Sequence, residues 1–311
     1  MISLLTRLEA YPSTRRLVAA VLEAMPDHLG YLEKSFDNRA PSTTEITEKT
    51  ASLIELMENG RFDGLVEGYR WLCEMIQEEE LFFRRTGSYR NGSFAEVNAA
   101  VYQDRERMSG YMDGLLATEV LWIQHARSMD FYVNSYLPKL GGGYRHLEIG
   151  PGHGLLLHHV AMDPRCGEIR AWDISPASLA RTEQCLSAMK PVNPVRLELC
   201  DIMAPPECPV RWDSIVLSEI LEHLEDPFGA MRNLSGCLAP HGRVYVNVPV
   251  NAPTIDHIHL FRSPEDAVAL VEKAGFVVDE MLLSPGAGYN LTKSRKREAS
   301  ISVALIARAN A

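Results

Sequence analysis

The sequence predicts a seven-stranded, doubly wound and mostly parallel α/β sheet preceded by an all-helical half, and three observations carry that expectation. From Ile2 to about Pro138 apolar residues recur at helical spacing. Beyond Gly141, Gly142 and Gly143, short apolar runs alternate with helical stretches, and the first run opens into a glycine-rich turn. The chain has 311 residues, room for two domains of about 100–200 residues. The change of texture places them at 1–140 and 141–311.

In the helical half the repeating faces include Leu53, Leu56 and Met57, then Leu65, Tyr69 and Leu72, then Leu115, Leu116, Val120 and Ile123. Its breaks fall where turn chemistry predicts them: Pro26, the stretch 40–43 with Ser42 or Thr43 as N-cap, Asn59 to Arg61, and 88–93. Arg7 and Glu9 interrupt what would be the apolar stretch of a signal peptide, so the N-terminus reads as a helix. In the second half strands are expected at 145–149, 169–173, 195–199, 212–217, 243–248, 276–282 and 300–307. Helices fit at about 154–162, 176–189, 226–238 and 264–274, each opening near a Ser, Asp or Pro.

Composition removes several classes. With 46% hydrophobic and 23% charged residues, and no run approaching about 18 apolar residues, a soluble protein without a membrane span is expected. Six cysteines without a CxxC pair suggest reduced thiols and a cytoplasmic setting. The net charge of −10 argues against nucleic acid as a partner, whose phosphate track needs clustered Lys and Arg.

The chemistry is expected at the strand ends, because a doubly wound sheet binds ligands beyond its carboxyl edge where strand order reverses. There the first strand enters HLEIGPGHGLLL, which sets Glu148, Gly150, Gly152 and Gly154 at alternate positions before a helix. Glycines permit positive φ and close approach of a ligand to the backbone, and helix N-terminal amides face it. Leu155 stands where the dinucleotide fingerprint needs its third glycine, which weakens a nicotinamide reading. His153 reads as a solvated loop histidine.

The E-x-G-x-G-x-G run followed by an acid ending the next strand resembles motif I of the class I S-adenosylmethionine-dependent methyltransferases. The resemblance implies a loop around S-adenosylmethionine formed by Glu148, Gly150, Gly152 and Gly154. It assigns the ribose hydroxyls to Asp173 of the Asp173–Ile174 pair, and a carboxylate accepts two such bonds at once. Asp201, with Ile202, ends the third strand where the family contacts the adenine amino group; a turn residue is the alternative for Asp201.

The fourth strand ends in SEILEHLEDP, similar to a run in ubiquinone-pathway O-methyltransferases and small-RNA 3′-end methyltransferases. There an E-x-x-E-H run holds a divalent ion, and the matching residues are Glu219, Glu222 and His223. Spacings of three and four set them on one helical face. His257, on an extended segment with His259 two residues on, would add a ligand for Mg²⁺ or a similar ion. The alternative is a metal-free site in which His223, His257, His259 or Glu219 is the general base.

The helical half is rich in aromatics: Tyr69, Trp71, Phe82, Phe83, Tyr89, Tyr102, Tyr111, Trp122, Phe131, Tyr132 and Tyr136. The resemblance implies a lid over an acceptor or a surface for homo-oligomerisation. Arg84 to Asn91 is either an anion-binding segment or a solvated loop, and 293–297 a solvated connection between strands. Methyl transfer to a small aromatic or amino-acid-like acceptor (phenol, indole or amine) of bacterial secondary metabolism is expected. RNA, a carrier-bound substrate and a non-catalytic scaffold are the alternatives.

Overall fold

The computed structural model describes residues 3–37, 39–102, 105–204, 208 and 210–310. The side chains of 100, 102, 105–107 and 109 lie outside that description, and the expected lid ring of Tyr102 with them. Contacts group the chain into two compact units. One comprises Met1–Asp130, Ala252–Ile258 and Ser284–Ile301; the other comprises Phe131–Asn251, His259–Leu283 and Ser302–Ala311.

The helical unit is built from α1 (Leu4–Arg7), α2 (Pro12–Ala24), α3 (Leu29–Phe36), α4 (Pro41–Met57), α5 (Asp63–Thr86), α6 (Phe94–Val97), α7 (Arg105–Leu121) and most of α8 (Ile123–Phe131). The expected breaks recur as a 3-10 turn at Pro26–His28, left-handed Asn59 and Gly60, and left-handed Gly87 closing α5. Ser42 and Thr43 are not N-caps: Pro41 starts α4, and both hydroxyls donate to Asp130 Oδ2. Glu48 caps α2 from α4, accepting the Ser13 and Thr14 amides at 2.9 Å each, where a carboxylate also meets the positive helix end. A Cβ on Gly68 would strike the Gly110 carbonyl, and one on Gly114 the Gly68 carbonyl at 2.6 Å, so these glycines let α5 and α7 touch backbone to backbone.

The sheet unit opens with a π turn at Tyr132–Tyr136 and then β1 (Tyr144–Ile149), α9 (Leu155–Ala161), β2 (Cys166–Asp173), α10 (Pro176–Met189), β3 (Arg196–Leu199) and β4 (Trp212–Ser218). It continues through a 3-10 turn at Leu221–His223, α11 (Pro227–Ser235), β5 (Leu238–Val250), α12 (Pro264–Lys273), β6 (Phe276–Pro285) and β7 (Ile301–Ala309), while α13 (Leu291–Arg297), between the last two strands in sequence, groups with the helical unit. The seven strands are ordered β3-β2-β1-β4-β5-β7-β6, and β2/β3, β1/β2, β1/β4 and β4/β5 pair in parallel. Order therefore reverses between β1 and β4, the switch point at which such sheets bind ligands. Ser175 caps α10, Asp226 α11 and Ser263 α12, each followed by Pro, as the sequence predicts.

Residues 293–297 are the solvated connection between strands that the sequence suggests: all but Ser294 are exposed, and they form part of α13, whose Asn290 cap accepts the Lys293 amide. One further expectation is corrected. Cys208 and Cys237 form a disulfide between the β3–β4 loop and the start of β5, so uniformly reduced thiols do not hold. A pair 29 residues apart leaves no local spacing signal.

Candidate functional site

The turn after β1 is built on left-handed glycines: φ is +61° at Gly150, +54° at Gly152 and +72° at Gly154. The Gly150 amide donates to the Trp172 carbonyl of β2 at 2.8 Å, and a Cβ there would collide with Ile220 Cδ1. Gly152 faces open space. Thr182 of α10 donates its hydroxyl to the Gly152 carbonyl at 2.7 Å, which turns that oxygen away and leaves the amide side of the loop for a ligand. His153 is not solvated: it is buried, and burial with the nearby Arg181 pushes its imidazole down to about 3.

Asp173 ends β2 as expected, and its carboxylate also organises the start of α10. Oδ1 accepts the Ser175 amide at 2.8 Å and Oδ2 the Ser178 hydroxyl at 2.6 Å. Each oxygen keeps a second lone pair, so these bonds orient the group without using it up. Ile174 is 53% exposed, an apolar surface beside that carboxylate. Asp201 is exposed and accepts the Met203 amide at 2.8 Å, the turn role that was its alternative. The Ile202 side chain is buried and its carbonyl is held by Asn233 at 2.9 Å. Glu148 is buried in β1, its carboxyl beneath the loop.

Beyond β4 the helical-face expectation fails. Glu219 is left-handed, with φ +55°, and only Leu221–His223 forms a short 3-10 turn. A non-glycine residue in that region stores about 1–3 kcal/mol of strain. The strain is held by Asn247 of β5, whose carbonyl accepts the Glu219 amide at 2.8 Å and whose Nδ2 donates to Glu219 Oε1 at 2.7 Å. Ser302 of β7 in turn donates to Asn247 Oδ1 at 2.9 Å. Sequence reasoning missed this brace, although an Asn inside the apolar run VYVNVPV was its signal. Glu222 is fully buried, with His223 Nε2 3.8 Å from its Oε1.

The segment that carries His257 and His259 turns at 255–256 and bends at His259, and the two histidines fall in different units. In the sheet unit, the His259 amide donates to the Glu222 carbonyl at 2.8 Å and its ring stands edge-on to Phe261. Burial lowers its basicity, opposed by Asp266 and Asp226. In the helical unit, His257 Nδ1 lies 2.7 Å from the Ala252 carbonyl, which fixes the Nδ1–H tautomer and makes Nε2 the lone-pair nitrogen. Most of Arg84 to Asn91 is exposed, in line with the solvated alternative, but Tyr89 and Asn91 hold this segment. The Tyr89 hydroxyl accepts the Ala252 amide at 3.2 Å, its ring lies edge-on to His257, and Asn91 donates to the Ile255 carbonyl at 2.7 Å. Arg90 is paired with Glu79 at 2.8 Å over the Phe82 ring. Tyr111 and Thr254 donate to Asp256 Oδ1 at 2.6 and 2.8 Å.

A glycine turn at the switch point, an acid closing β2 and a seven-stranded order of this kind define the class I methyltransferase fold, the fold that binds S-adenosylmethionine. Residues 147–244 match the family model described as a methyltransferase domain. Over 107 residues the chain is 29% identical to a ubiquinone biosynthesis O-methyltransferase of Marinobacter nauticus, covering 34% of this chain and 44% of that one. Over 151 residues it is 26% identical to an uncharacterised protein of Synechococcus, covering 49% and 35%. The chain thus spans less than half the length of these curated relatives. A chain of the complex between the Haloferax volcanii Trm112 methyltransferase activator and a methyltransferase superposes with a TM-score of 0.50 at 16% identity, over 67% of this chain and 97% of that one. Among the described residues no helix is long and apolar enough to cross a membrane.

Proposed function

We propose that the protein transfers the sulfonium methyl of S-adenosylmethionine to a small aromatic or amino-acid-like acceptor by in-line displacement. The observation that carries this reading is the left-handed glycine turn after β1 with Asp173 at the end of β2. In this reading Gly150, Gly152 and Gly154 let the cofactor lie against the backbone, Asp173 receives the ribose hydroxyls, Ile174 and Ile202 flank the adenine beside Asp201, and Glu148 and Glu219 close the floor. When bound, the cofactor supplies an electrophilic methyl carbon. The chain's own part is to position the reactants and remove an acceptor proton.

His257, with Nε2 as its lone-pair nitrogen, has a tautomer suited to a base or a ligand; His223 and His259 are the further candidates. The Glu222–His223 pair mixes a buried carboxylate with an imidazole, a donor set that fits Mg²⁺ or a similar cation. Glu219 suits that role less, since Asn247 already engages its carboxylate. The helical unit is assigned acceptor selection or self-association on its aromatic content.

Titration calorimetry with S-adenosylmethionine on the wild type, Gly152→Val and Asp173→Ala tests the cofactor half. Micromolar binding that both changes leave intact would sink the site assignment. A metabolite screen with methyl-labelled cofactor tests the acceptor half: label in RNA or on a carrier protein rather than in a small molecule overturns it, and binding without any transfer points to a scaffold.

A further inference from the structure

A chain of hydrogen bonds runs through the sheet behind the cofactor loop, and its direction is set at one end. Tyr136 Oη lies 3.0 Å from the Arg243 carbonyl and 3.4 Å from that of Ile215, and 2.7 Å from Ser214 Oγ. Ser214 Oγ lies 2.8 Å from His146 Nδ1, and His146 Nε2 lies 3.5 Å from Glu148 Oε2. A carbonyl can only accept. Tyr136 therefore spends its one proton on a carbonyl, Ser214 donates to Tyr136, and His146 donates through Nδ1 to Ser214. That leaves His146 Nε2 as a lone pair facing Glu148 Oε2 at 3.5 Å, an arrangement that favours a protonated carboxyl over two opposed lone pairs. The opposite direction would set the Tyr136 oxygen against two carbonyl oxygens with no hydrogen between them.

We propose that Tyr136, Ser214 and His146 are positioning residues that hold Glu148 as a neutral carboxylic acid beneath the cofactor loop, and that cofactor binding expels its proton. The proposal rests on the cofactor reading above. Glu148 stands two residues before Gly150 in the strand that feeds the loop, and the arriving sulfonium and ammonium charges favour a carboxylate there. No covalent bond to carbon forms or breaks: one proton passes to the buffer. The chain then reverses, Tyr136 donating to Ser214, Ser214 to His146 Nδ1, and Nε2–H to the carboxylate.

Burial pushes the Glu148 carboxyl up to about 8 and the His146 imidazole down to about 3, the protonation state that the hydrogen bonds require. The titratable groups coupled to Glu148 among the described residues are Tyr132 and Tyr136 from the turn before β1 and His146 of β1; Tyr144 and Tyr245 in turn act on Tyr132. The Arg243 charge acts on Tyr136 and is itself paired with Asp279 at 2.8 Å. Tyr132 Oη, His146 Nε2 and Glu148 Oε2 are all buried without a full hydrogen bond, so among the described residues Oε2 has no strong donor that would hold it ionised.

Calorimetry of S-adenosylmethionine binding between pH 6 and 8, in buffers of different ionisation enthalpy, reads the proton directly. Release should approach one proton per cofactor at the acid end, and Kd should tighten about tenfold per pH unit below the Glu148 midpoint. Glu148→Gln should bind with no release and lose the carboxylic-acid band from the infrared difference spectrum. Tyr136→Phe, which removes the carbonyl anchor, should move the release profile to lower pH. Wild-type binding without proton release, or the same release from Glu148→Gln, overturns the proposal alone. Absence of any binding removes the cofactor reading as well.

Discussion

Gly150 and Gly152 are both left-handed and two residues apart, yet alanine should damage them in different ways. At either site the side chain meets a conformational cost of about 1–2 kcal/mol, because an L-residue crowds its own carbonyl there. At Gly152 the new methyl enters open space, so that cost should be nearly the whole loss of stability. At Gly150 the methyl would collide with Ile220 Cδ1, with Ile220 Cγ1 at 3.0 Å, and overpacking adds about 1–3 kcal/mol. Gly150→Ala should therefore lose roughly 2–5 kcal/mol and Gly152→Ala about 1–2 kcal/mol. Ile220→Val deletes the colliding carbon at a cost of about 0.5–1.5 kcal/mol on its own, and in Gly150→Ala it should recover about 1 kcal/mol or more of the steric part. Denaturant melts of the four proteins give the cycle, and calorimetry with S-adenosylmethionine gives the second readout: Gly152→Ala should weaken cofactor binding more than it weakens the fold. Equal stability losses at the two glycines, or strict additivity of Gly150→Ala with Ile220→Val, would refute the contact on which the reasoning depends.

Stability should pass through a maximum near pH 6.5. Below that value the buried His146 and His153, held near 3 against an ordinary 6.5, make the unfolded chain bind more protons, so stability climbs as pH rises from about 3 to 6.5. Glu148, held near 8 against 4.5, acts in the other direction and lowers stability as pH rises from about 4.5 to 8; Glu148→Gln should flatten the alkaline side in urea melts. Opening the Cys208–Cys237 bridge, which closes a 29-residue span, should cost up to roughly 3–4 kcal/mol. The checks are melts with and without dithiothreitol, using Cys237→Ser as control, and identical curves would remove the bridge. If the Glu222–His223 pair holds a cation, stripping with EDTA should lower turnover and Mg²⁺ should restore it. Full activity in protein shown to be metal-free leaves the histidine base.

All seven strands and four of the five α-helices described between them were legible, because alternating apolar runs, with Ser-Pro or Asp-Pro starts at three of those helices, are local signals. The left-handed glycine turn and the place of Asp173 at the end of β2 were legible for the same reason, since they lie within one strand-turn-helix-strand stretch. What escaped was decided across the sheet. Nothing local indicates that Asn247 reaches Glu219, that Cys208 meets Cys237, or that Tyr89 and Asn91 hold the backbone of 252–258. The E-x-x-E-H spacing misled because it assumes a continuous helix, whereas the backbone turns left-handed at Glu219 before a single 3-10 turn. The basic run at 293–297 was legible as a solvated connection between strands, because charge reads as solvent exposure, but the helix that Asn290 caps there was not.

The chain passes between its two units five times, at 130/131, 251/252, 258/259, 283/284 and 301/302. Neither unit is therefore a separable module. A chain cut at 141 would retain all seven strands of the sheet but also two stretches whose partners had been removed. Ile255 would be stripped of Leu72, Met75, Val97, Val101 and Tyr111, and a 7-residue helix would be left to stand alone, well below the length at which isolated helices persist. Replacing the helical unit with a foreign one would meet the same obstacle, because what must be transplanted is three pieces of sequence and not one.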